Sequence, residues 1–340
     1  MVQSSADTVV AAIENNRFVP YDSILEHMFE KDRRGLAVLH AAILADKPEY
    51  LPHFSERHIY LCGIVPEQLK IGDINARFIT SQSTQTCSTI HLLAFKGYLD
   101  RIGRGNLAGK TLQHPDSSGR NVFHYAAIGG HLDQLPPQTL NARNLNSKGA
   151  HIFTPLVYAA ACRHLDQVPT QVLKEALSKS DFSQNFLSFA ATNGNLDQVP
   201  DELLLSPNGL LRLGIRDGYR ESLSPLETAL ESNSLCTLPP ALINSKIFGA
   251  VNFQGNNLVN SAAQAGVKLP ELDLELYAVP DVKGQTALHH LIAQERVDCL
   301  MHRKWPGTFE PIVGAELWNA NCTIHNKTEE VNQTFEMDMF

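Results

Sequence analysis

Three short segments of this chain repeat one another almost letter for letter: His131-Leu-Asp-Gln-Leu-Pro136, His164-Leu-Asp-Gln-Val-Pro169 and Asn195-Leu-Asp-Gln-Val-Pro200. Each follows an alanine pair at a constant distance, Ala126-Ala127, Ala159-Ala160 and Ala190-Ala191, so the copies are offset by 33 and then 31 residues. A recurrence at this interval means one supersecondary unit stacked on copies of itself, because a single copy cannot bury its own apolar face.

The register extends in both directions. Leu39-His40-Ala41-Ala42, Ile90-His91 with Ala94, Leu226 with Ala229, Ser261-Ala262-Ala263 and Leu288-His289 fall into the same columns, and Val9-Val10-Ala11-Ala12 opens the chain with a degenerate copy. The expected architecture is all-α, eight or nine helical hairpins. A degenerate capping repeat is expected over 1–34, an array over 35–304, and a C-terminal cap with an acidic tail over 305–340. His40 and His91 lie 51 residues apart, and the interval around 200–239 is also long, so insertions are expected near 53–75 and 205–220.

A capping residue recurs before each alanine-rich helix: Ser88, Asn121, Thr154, Asn185, Ser224, Asn257 and Thr286, with Ala37 the exception. Such side chains accept the unpaired N–H groups of a helix start. Pro155 and Pro225 follow directly, in the first helical position, where the missing N–H costs nothing. The Leu-Asp-Gln-Val-Pro stretch reads as a turn into a second helix, with Asp133, Asp166 and Asp197 as its caps and the proline in its first turn.

The run Asp116-Ser-Ser-Gly119-Arg-Asn121-Val-Phe-His124-Tyr-Ala126-Ala127-Ile-Gly-Gly130-His131-Leu132 resembles the ankyrin repeat, as do Asp281-Val-Lys-Gly284-Gln-Thr286-Ala-Leu-His289 and Thr154-Pro155-Leu156. The chain departs from the family where its histidine becomes Val157, Ser188, Glu227 and Asn260, and where its hairpin glycine becomes Thr86, Ile152, Ser183 and Ser222. The resemblance implies a solenoid that binds a protein through its loop tips and the concave face of its first helices. Carried over by position, the tips are Ser117, Ser118 and Arg120; His151 and Phe153; Asp181, Phe182 and Gln184; Phe253, Gln254 and Asn256; and Lys283. Exposed phenylalanines would anchor such an interface; the alternative is that they fold under the loops.

The net charge of -8, with no basic run longer than Lys31-Asp-Arg-Arg34, argues against a nucleic-acid partner. No apolar stretch reaches membrane-spanning length, and the first fifteen residues lack the pattern of a signal peptide. Six scattered cysteines fit reduced thiols in a cytoplasm, that of a host if the chain is a bacterial or viral effector. A monomer without a cofactor is expected.

Three chemical readings compete with a binding scaffold. Cys299-x2-His302 and Cys322-x2-His325, 19 residues apart, offer four ligands for a closed zinc site in a metal-stapled structural protein. Against zinc, Cys299 falls at the place of Gln134, and free cysteine is a common small core residue. An enzyme with its site in an insertion, around His58 and Cys62, is the second alternative. The third, a phosphate loop at Gly103–Thr111, fails because Arg104 stands where the pattern needs glycine. The histidine column of His40, His91, His124 and His289 reads as structural, since a catalytic base occurs once and not once per repeat.

Overall fold

The computed structural model describes residues 5–52, 54, 59–65, 85–103, 107, 109–146, 153–179, 186–206, 209–210, 224–239, 242–243, 245–249, 257–269, 272–281, 283–323 and 325. Among them the chain is all-α apart from one two-stranded sheet, and no helix is long and apolar enough to cross a membrane. It forms two compact units, Met1–Leu203 and Leu204–Phe340. The boundary between them falls at the edge of the 205–220 stretch.

The first unit is built on six helices: α1 (Ser5–Glu14), α2 (Val38–Leu44), α3 (Thr89–Lys96), α4 (Val122–Gly129), α5 (Pro155–Cys162) and α6 (Phe186–Thr192). Each packs on the next in chain order. Between them lie the alanine pairs, with Ala42, Ala126, Ala127, Ala159, Ala160, Ala190 and Ala191 all fully buried and Phe123, Leu156 and Leu187 filling the space beside them. Small residues at these contacts let the helix axes approach closely. The closest approach is at Gly129, where an added Cβ would fall 2.1 Å from the carbonyl oxygen of Phe95.

The expected caps are present where the structure describes them. Thr154 Oγ1 accepts from Val157 N at 3.3 Å, with Pro155 in the first turn, and Asn121 and Ser88 each form a reciprocal box with the histidine three residues on. Asn185 lies outside the described residues. The insertion after α2 supplies β1 (Cys62–Val65) and β2 (Gln85–Ser88), paired antiparallel with Cys62 opposite Ser88, so β2 ends at the cap of α3. The side chains of His58 and Cys62 are outside the described set.

Helix ends repeat as strictly as helix starts. One residue per unit takes the left-handed conformation just past the helix: Asn16, Asp46, Gly97, Gly130, Arg163 and Gly194 in the first unit, Asn233, Gly266 and Glu295 in the second. At all nine positions, among the described residues, a helix is closed in the same way. The Leu-Asp-Gln triplet that follows is a 3₁₀ turn at Leu132–Gln134, Leu165–Gln167 and Leu196–Gln198.

This turn corrects the reading of the second helices. Asp133, Asp166 and Asp197 sit within the 3₁₀ turn and cap no second helix. The proline stands one place before the helix: the amide of Val172 bonds Pro169 O at 2.8 Å, and that of Leu203 bonds Pro200 O at 2.9 Å. Thr170–Lys179 then buries Val172 and Leu173. After Leu135 the second helix is reduced to a 3₁₀ turn, Pro137–Thr139, and one helical turn, Ala142–Leu145. There Ala142 and Leu145 are the buried residues, and Thr139 and Leu140 are only half-buried. Two adjacent prolines withhold the amides that a longer helix needs.

The second unit stacks α7 (Pro225–Glu231), α8 (Leu258–Ala265) and α9 (Ala287–Ala293) in the same way. A cap closes it: Trp305, Phe309 and Val313 are buried, and Trp305 Nε1 donates to Leu300 O at 2.9 Å. Asn321, in a glycosylation-like triplet, is buried with its amide spent on Trp305 N, Met301 O and Arg303 O.

Candidate partner-binding surface

Three tips are built alike from an Asp-x-x-Gly pattern. At Asp116 the carboxylate Oδ1 accepts from Ser118 N at 2.7 Å and Arg120 N at 2.8 Å, and Gly119 takes the left-handed conformation that closes the turn. Asp32 and Asp281 hold their turns with equivalent bonds. The aspartate therefore fixes the backbone of the turn. Ser117 and Lys283 are exposed and Ser118 is half-buried.

Arg120 does not belong to the tip. It is 2 % exposed, and its Nε lies 2.9 Å from Asp116 Oδ2. Tyr125 completes the cluster: its hydroxyl donates to Asp116 Oδ2 at 2.7 Å, and the Arg120 guanidinium stands 5.2 Å from its ring centre. Burial acts to raise the Asp116 pKa, but the Arg120 charge and the Tyr125 hydrogen bond outweigh it and keep the carboxyl below its usual range. A charge this enclosed survives only when paired and hydrogen-bonded, which is why the arginine turns inward.

Phe153 is half-buried. Its ring meets Phe189 edge-on at 4.8 Å, and its carbonyl accepts from His124 Nε2 at 3.1 Å. It packs against Phe189 and Tyr158. His151, Asp181, Phe182, Gln184, Phe253, Gln254 and Asn256 lie outside the described residues.

The histidine column ties each helix start to the next loop. In His91 and His124, Nδ1 accepts the amide of the capping residue at 3.1 Å, which places the proton on Nε2; that nitrogen donates to His114 O at 2.9 Å and Phe153 O at 3.1 Å. His40 Nε2 lies 2.9 Å from Thr89 Oγ1 and 3.1 Å from Leu61 O. Burial pushes all three imidazoles down to about 4, so they are neutral. Asn260 does the same work in the second unit with bonds to Val279 O and Gln285 O.

Sequence reasoning missed a second set of ties, although its signal was the glutamine shared by the three Leu-Asp-Gln segments. Gln134 Oε1 accepts from Leu99 N and its Nε2 donates to Gly97 O, 35 and 37 residues earlier. Gln167 and Gln198 repeat this on Leu132 with Gly130, and on Leu165 with Arg163. The ring of His131 lies over Gly97 and that of His164 over Gly130, so closely that a Cβ on either glycine would meet the ring at 2.6 Å.

The four proposed zinc ligands are not brought together. Among the described residues no group of three or more His, Cys, Asp or Glu side chains is placed to hold a metal. His325 Nε2 is 3.2 Å from Met301 O, while Cys299 and His302 line a cavity of the second unit. Cys87, Cys162, Cys299 and Cys322 are free thiols.

Comparison with family models and with curated proteins returns no match to this chain.

Proposed function

We propose that each unit is a stack of divergent ankyrin-type repeats, and that the chain is a scaffold holding a protein partner through its tips and the concave face of its first helices. The observation that carries this reading is the division of labour within a tip. Asp116 and Arg120 are committed to the interior, and Asp281 holds its turn by accepting the amides of Lys283 and Gln285, whereas the Lys283 side chain stands exposed. An exposed loop position on a turn held by its neighbours can take whatever side chain a partner requires. The nine-fold recurrence of this helix closure supports the ankyrin-type assignment.

Photo-crosslinking tests it. A crosslinker placed at Ser117 or at Lys283 should capture one stoichiometric protein from the native source, and one at Gln171 or Lys174, exposed on the second helix Thr170–Lys179, should not. Equal capture from all four positions, or none from the tips, overturns the reading.

A further inference from the structure

One unit breaks the pattern of ties. After Gly130 the chain runs through six residues to Pro136, whereas after Gly266 it runs Val267-Lys-Leu-Pro270, two residues shorter. No 3₁₀ turn forms over 267–269, and the leucine that such turns bury elsewhere, at Leu132, Leu165 and Leu196, has no counterpart. The next unit has also lost the complementary amide, since Cys299 stands at the place of Gln134 and Arg296 at that of His131. The space so left is a cavity of about 510 Å³.

Its walls divide by chemistry. Leu269, Tyr277 and Leu300 give it an apolar floor, and Lys268, Arg296 and Arg303 line it with positive charge, while among the described residues no carboxylate does. Arg303 Nη1 donates to Leu272 O at 2.5 Å and Arg296 Nη1 to Gln294 Oε1 at 3.3 Å, both neutral acceptors. Cations gathered without counter-charge around a partly desolvated space attract an anion more strongly than they would in bulk water, and an apolar floor with a few polar groups is the usual make-up of a small-molecule site.

We propose that this cavity binds a small organic anion, an acidic head with a compact apolar body, the head between Lys268 and Arg296 and the body over Tyr277 and Leu300. The site lies within the second unit and is independent of the tip surface.

Titration calorimetry on the full chain tests it with octanoate and octyl phosphate, against 1-octanol for the apolar body alone and inorganic phosphate for the head alone. Saturable binding of octanoate or octyl phosphate is expected at least tenfold tighter than either control, the stronger of the two identifying the head. The Lys268→Gln/Arg296→Gln variant should weaken binding at least tenfold, with Lys268→Gln, at an exposed position, as the milder variant should the double one fail to fold. Bound ligand should also slow iodoacetamide modification of Cys299, read by peptide mass mapping. Absence of saturable binding, a control that binds as tightly, affinity unchanged in the variants, or an unprotected Cys299 each overturns the proposal.

Discussion

The side-chain amide of Gln167 receives the backbone N–H of Leu132 at 2.9 Å, from a residue 35 positions earlier in the chain. Its other end donates to Gly130 O, so one side chain satisfies two backbone groups of the preceding unit. Gln167→Ala leaves both without a partner in a half-buried place. A loss of about 1–3 kcal/mol is expected from urea unfolding followed by circular dichroism. Gln171→Ala, exposed on the neighbouring helix, should change stability by less than about 0.5 kcal/mol.

The neutral histidines make stability pH-dependent. Burial depresses His40, His91 and His124 to about 4 from an ordinary 6.5, so between those values the unfolded chain binds more protons than the native one. Their contribution is fully present above about pH 6.5 and is lost as the pH falls towards 4, by an order of a few kcal/mol for each. Urea midpoints should drop steadily from pH 7 to pH 4.5. A flat profile over that range would show that the rings are hydrated in the native state.

Arg120→Met should be among the most damaging single changes, because it strands the Asp116 carboxylate among buried groups. A cost of about 3–5 kcal/mol is expected. Asp116→Asn combined with Arg120→Met should be less destabilised than Arg120→Met alone, since no lone charge remains. Comparing the three unfolding midpoints checks both statements.

Gly129→Ala tests the packing of α3 on α4. With Phe95 O only 2.1 Å from the added methyl, the helices must separate, at about 2 kcal/mol or more. An unchanged thermal midpoint would mean that the two axes lie further apart than described here.

Much of the fold is legible in the letters because the repeat states it several times. The alanine pairs, the caps Ser88, Asn121, Thr154, Ser224, Asn257 and Thr286, and the prolines of α5 and α7 each stand where their local chemistry puts them. The second helices were misread because Leu-Asp-Gln has ordinary helix formers; the same 3₁₀ turn forms at Leu99–Arg101 and Leu235–Thr237, where no glutamine stands, so it belongs to the packed repeat and not to the letters of the triplet. Arg120 was misplaced for a similar reason. Its position beside a turn suggests exposure, and its burial depends on Tyr125 and Asp116 meeting it in space. The cavity at Val267–Leu269 was visible only as a shortened interval, whose meaning required knowing what the missing residues do elsewhere.

The amide ties of Gln134, Gln167 and Gln198 all reach backwards along the chain, to residues 97–99, 130–132 and 163–165. During synthesis the N-terminal part of a chain emerges first. Each new Leu-Asp-Gln turn leaving the ribosome therefore finds its glutamine partners already made, whereas the histidine ties of the helix before it close only when the next loop has emerged.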